Sequence, residues 1–131
     1  ENHLRFMGMT VHSDKSKLKP GATLDLTYYW HCLKKEERNL SAFIHFENAE
    51  GQTLFQDDYE KTPGNNPMKE WLPGEIIKIK SSVRIPDSLS PQPLRMYLGV
   101  WEHQKGRRLK ISRKNSSEKD RSIFVMDLNI L

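Results

Sequence analysis

Apolar and polar residues alternate with a period of two through most of this chain, and few arrangements satisfy that pattern. Successive side chains of a strand point to opposite faces, so alternation means one buried face and one open face. In "ATLDLTYYWHCL" the inward set is Leu24, Leu26, Tyr28, Trp30 and Cys32, while Thr23, Asp25, Thr27, Tyr29 and His31 point outward. "LSAFIHFE" turns Leu40, Ala42, Ile44 and Phe46 inward, with Phe43 and His45 outward. "EIIKIKSSVRI" buries Ile77, Ile79, Val83 and Ile85 and exposes Lys78, Lys80 and Arg84. "LRMYLGVW" buries Leu94, Met96, Leu98 and Val100 and presents Arg95, Tyr97, Gly99 and Trp101. "LRFMGMTVH" reads as the first strand and "SIFVMDLNIL" as the last. No segment carries a helical period.

Turn chemistry divides these runs. "KPG" at 19–21, "AEGQ" at 49–52 and "HQKGR" around Gly106 are tight-turn signals. "IPDSLSPQP" cannot continue a central strand, because proline lacks the ladder N–H. Short strands with turns about every ten residues predict an all-β, two-sheet antiparallel sandwich of about seven to nine strands. The 131 residues fit one such domain, 1–131, long enough to bury a core.

The totals exclude several classes. No run approaches the roughly 18 apolar residues of a membrane helix. The opening "ENHLRFMGMTVH" alternates like a strand and has neither signal-peptide nor transit-peptide character. Cys32 is the single cysteine, so no intrachain disulfide forms; its place in an alternating strand reads as a small buried hydrophobe. The formal charge of +4 is local: residues 105–121 hold eight basic residues against two acids, leaving −2 for the rest. Such a stretch is a solvated terminal hairpin or an anion-binding patch, with Arg107, Arg108 and Lys110 as the residues that would meet phosphate or lipid head groups. It contains no aromatic residue, so it lacks the stacking partners of a specific nucleic-acid binder.

Catalytic patterns are missing. There is no G-x-S-x-G elbow and no phosphate-cradling glycine loop, and no cofactor motif is recognisable. Asp57 and Asp58 are strand neighbours, so their carboxylates point to opposite faces and do not form a glycosidase pair. They read as a strand end that binds loop amides. His31 and His45 would face each other across a simple hairpin, but two ligands are too few for a metal site. The reading is therefore a non-enzyme without metal or cofactor.

The aromatics carry the remaining signal. Tyr29, Tyr97 and Trp101 all have outward parity, on strands expected to be neighbours or near-neighbours. An exposed aromatic row serves either as a platform for sugar rings or as a hydrophobic face covered by a loop or adjoining domain. Trp71, beside the Pro73–Gly74 turn, reads instead as a plug over the sandwich end.

Four stretches occur in an order that adds a resemblance. They are "FIHFENAEGQTLFQDD" (43–58), "WLPGE" (71–75), the strand end "IP" (85–86) and "LRMYLGVWEHQKGRRL" (94–109). Over about residues 20–110 the succession resembles the bacterial β-sandwich domain appended to polytopic membrane glycosyltransferases of the dolichyl-phosphate-mannose mannosyltransferase type. Leu94 stands where an aromatic commonly opens that strand. The resemblance implies an immunoglobulin-like sandwich in the periplasm or at the cell surface, close to a membrane, with no catalysis of its own. A chain without membrane spans is then an excised domain or a stand-alone exported relative. The function expected is an accessory or recognition module of the bacterial cell envelope, whose partner is a glycan or a neighbouring protein domain. The alternative is an electrostatic binder of anionic polymers or lipid head groups through residues 105–121.

Overall fold

The computed structural model describes residues 3–58, 68–109, 118–119 and 122–131. It is a two-sheet antiparallel β-sandwich, as the alternation predicts. The strands are β1 (Leu4–Val11), β2 (Thr23–Cys32), β3 (Leu40–Glu47), β4 (Thr53–Asp58), β5 (Ile76–Arg84), β6 (Gln92–Glu102), β7 (Arg107–Leu109), β8 (Glu118–Lys119) and β9 (Ser122–Ile130). One sheet is β1-β2-β5; the other runs β4-β3-β6-β9-β8, with β7 also paired to β6.

The inward sets of β2, β3, β5 and β6 are all buried, and they join Phe6, Met68, Trp71, Leu109, Ile123 and Leu128 in one cluster. The sheets are also tied across one edge: Ser81 Oγ on β5 donates a hydrogen bond to the Asp57 carboxylate on β4. Asp57 thus serves a hydroxyl of the opposite sheet rather than the loop amides expected of it.

Crossing from β2 to β3 carries the chain between sheets, and this crossover is pinned by a buried acid. Glu36, 1% exposed, accepts from the Arg38 backbone N–H at 2.8 Å and from Arg38 Nε and Nη2 at 2.9 and 2.7 Å; His3 Nδ1 lies 3.2 Å away. Burial pushes the carboxyl upward, but the Arg38 hydrogen bonds and the charges of Arg38 and His3 outweigh it, leaving its pKa below the ordinary 4.5. A depressed folded pKa gives stability that is present above the unfolded value and is lost as pH falls through the folded one. Melting temperature should therefore drop on acidification below about pH 4.5, and Glu36→Gln should flatten that dependence. An identical acid limb in wild type and variant would show that the crossover does not depend on this carboxylate.

The β5 entrance explains "WLPGE". Leu72–Glu75 is a turn with Pro73 second and Gly74 third, where Gly74 has φ 87° and Glu75 N–H meets Leu72 O at 3.0 Å. Gly74 N–H then donates to Cys32 O at 2.7 Å and Cys32 N–H to Glu75 O at 2.9 Å, which aligns β5 beside β2. Trp71, following a 3-10 turn at Met68–Glu70 that packs on β3, is completely buried, as a plug should be. Cys32 lies beneath the same turn. Its thiol is raised by burial first and by Glu75, with Lys35 opposing, and donates to Lys34 O at 3.3 Å. A raised pKa keeps the thiol protonated and unreactive.

Candidate binding face

The outer face of the six-stranded sheet is set by the register of β3 on β6. Ser41 pairs with Trp101, Phe43 with Gly99, His45 with Tyr97 and Glu47 with Arg95. On the far side of β6, Trp101 pairs with Arg108 of β7 and Tyr97 with Phe124 of β9. Every one of these residues has outward parity on its strand, so the register alone gathers an aromatic band.

Its centre depends on Gly99. A Cβ there would fall 2.6 Å from Phe43 Cε2, so the Phe43 ring lies across the bare backbone of β6. An aromatic covering a cross-strand glycine is a known way to fill the gap that glycine leaves in a sheet. The Arg108 guanidinium sits over the exposed side of that ring, 4.9 Å from its centroid, and the His45 ring lies 4.6 Å away. Tyr97 meets Phe124 edge to face at 5.8 Å. Phe43, outward by parity, is consequently only 5% exposed, and Tyr97 only 7%.

Trp101 is the open aromatic of the band, 36% exposed. Beside it the Ser41 hydroxyl and His103 Nε2 are 2.8 Å apart. This hydroxyl–imidazole pair has a nucleophile-and-base appearance, but Ser41 is buried and leaves no approach for a reacting carbonyl. The pair fixes the imidazole next to the indole. At the other end of the band is a shallow depression of about 250 Å³ lined by Glu47, Asn48, Glu50, Arg95 and Tyr97 among others. An accessible indole thus stands on a face that also carries an imidazole, a guanidinium and, at its far end, a hollow with two carboxylates.

The expected site residues fare unequally. Trp101 and Tyr97 share the band, Trp101 as its accessible ring and Tyr97 as a mostly covered support. Tyr29 does not join them. It lies on β2 in the three-stranded sheet, opposite Gly8 and Lys78, and the outer faces of a sandwich look away from each other. His31 and His45 are separated for the same reason. Arg107 meets a buried acid, its Nε 2.9 Å from Glu102 Oε1, and Arg108 lies over the Phe43 ring. Lys110 lies outside the described residues. Among those residues no group of three or more metal-ligating side chains converges. Phe43, His45, Phe124, Arg108 as a ring cap, and the Ser41–His103 pair were not anticipated as parts of one face. "YLGVW" was the available clue, since a glycine between two outward aromatics leaves a gap that an aromatic on the next strand can fill.

No protein-family model matches the sequence, and no curated protein matches it. Among solved structures, the chain is similar to the C-terminal domain of Wzt, with a TM-score of 0.67 at 9% identity over 100% of this chain and 75% of that one. A putative ApaA protein from Bordetella pertussis aligns over 96% and 94% of the two chains at 12% identity, but with a TM-score of 0.32 that carries no argument. At such identity, the likeness to the Wzt domain is one of fold: this chain is a β-sandwich of the same shape.

Proposed function

We propose that this domain is a non-catalytic recognition module of the bacterial cell envelope, binding a glycan across the outer face of the six-stranded sheet. The observation that carries this reading is the open Trp101 ring, whose cross-strand partners are Arg108 on one side and Ser41, bonded to His103, on the other. A sugar ring packs its apolar face on an indole through dispersion and C–H contacts, while neighbouring polar groups orient its hydroxyls. The mixed lining fits a polar, ring-shaped ligand better than a purely apolar partner. Arg107 is paired with Glu102 through Nε and Arg108 lies over Phe43, so part of the positive charge of this stretch is balanced within the domain.

The test is a glycan-array screen of wild type beside Trp101→Ala. Binding should fall at least tenfold in the variant and persist near 0.5 M salt, where the Debye length is only about 4 Å. With folding of the variant checked by its melting temperature, equal binding by both proteins would move the site off this face. Capture of a neighbouring protein domain through Trp101, with no glycan bound, would replace the ligand class. Robust hydrolase or transferase turnover by the isolated domain would contradict the non-catalytic part.

A further inference from the structure

The opposite face has a different chemistry. Across β1-β2-β5 the register places Arg5, His31 and Ile76 in one row, Gly8, Tyr29 and Lys78 in the next, then Thr10, Thr27 and Lys80. A β-bulge between Phe6 and Gly8 leaves Met7 without a partner on β2. Met7 is 48% exposed, Ile76 53% and Leu72, in the turn entering β5, 62%; these are three of the five exposed large hydrophobics among the described residues. Around them stand exposed Arg5, Lys78 and Lys80, which make no ion pair among the described residues, and half-buried His31. Arg84, farther along β5, is paired with Asp87 at 3.0 Å.

Beside the two lysines runs a groove of about 340 Å³. Lys78, Lys80, His12, Thr27, Ser82 and the Asp25 carboxylate line it, with the His12 Nε2 and Thr27 Oγ1 atoms 2.6 Å apart. Two acids stand nearby against the three cations: Asp25, which accepts from the Ser82 hydroxyl at 2.6 Å, and Glu75, which accepts from the Leu72 N–H at 3.0 Å.

We propose that this face docks on an anionic phospholipid surface. The lysines and Arg5 meet head-group phosphates, and Met7, Leu72 and Ile76 enter the acyl boundary with Tyr29 at the interface. Cations on long aliphatic stems, with exposed apolar side chains on both margins of the same sheet, match a bilayer, which presents phosphate above hydrocarbon. A free phosphate would use the lysines and leave the three apolar side chains without a role. The charge complementarity favours lipid over a second copy of this chain, which would bring the same cations together.

Cosedimentation with vesicles tests this. The domain should bind phosphatidylcholine vesicles containing about one third phosphatidylglycerol and ignore pure phosphatidylcholine. Lys78→Gln with Lys80→Gln should weaken partitioning about thirtyfold, and Met7→Ser with Ile76→Ser about tenfold. Trp101→Ala should bind vesicles as wild type does, so failure of the glycan reading leaves this result readable. No binding to the mixed vesicles overturns the proposal. So does loss in the lysine variant with none in the apolar one, which signals attraction of phosphate alone. Self-association abolished by Ile76→Ser, seen by sedimentation velocity, makes the face a protein interface and overturns it equally.

Discussion

Trp71→Ala should lower the melting temperature by about 10–20 °C, the largest single effect expected in this domain. The indole is completely enclosed where β2 ends and β5 begins, so truncation removes its apolar burial and leaves a void that a turn tied to Cys32 cannot close. Large aromatic truncations in such settings cost about 3–5 kcal/mol, and in a domain of this size each kcal/mol shifts the midpoint by about 3–5 °C. Trp71→Phe should fall between the two. An unchanged melting temperature for the alanine variant would mean that the side chain does not hold the sandwich end. It would also reopen Trp71 as a ligand contact, a role that its complete enclosure denies.

Gly99→Ala should be the second largest, although it adds one methyl group to an outward position. That methyl would occupy the space of the Phe43 ring, which must swing away and take the seat of Arg108 with it. Overpacking costs of about 1–3 kcal/mol and a lost cation–π contact of about 0.5–1 kcal/mol set the expected range at about 1.5–4 kcal/mol. Glycan binding should weaken in parallel, since Arg108 borders Trp101. The explanation has an internal control: in a Phe43→Ala background the same Gly99→Ala change should be nearly silent, because nothing remains to collide with. Gly99→Ala within about 0.5 kcal/mol of wild type would remove Phe43 from its proposed place.

Much of the core was legible because parity is a local property. Leu24 to Cys32, Leu40 to Phe46 and Leu94 to Val100 sort inward and outward with no knowledge of partners. The partners themselves were not legible, and the candidate site suffered for that. Tyr29 and Trp101 share an outward parity, yet parity does not say on which side of the sandwich outward lies. The linker "LKKEERN" held the missing signal: seven residues without glycine or proline make a poor hairpin and an adequate crossover between sheets. Phe43 was misjudged differently. Its strand pattern says exposed, and only the cross-strand pairing with Gly99 explains why the ring lies down and is covered. Arg107 and Arg108 looked available because charge in a sequence carries no mark of what it will meet. Only the register of β7 on β6 brings one to Glu102 and sets the other over Phe43.

The bulge in β1 has a consequence for how this domain behaves at high concentration. Among the described residues β1 and β5 are the margins of the three-stranded sheet, and an uninterrupted margin offers N–H and C=O groups on which another chain can build. The extra residue at Met7 breaks the repeat of those groups along β1, while Lys78 and Lys80 stud β5 with charge. Both margins therefore make poor templates for strand addition, and the irregularity that exposes a methionine also guards the sheet against growing into a fibre.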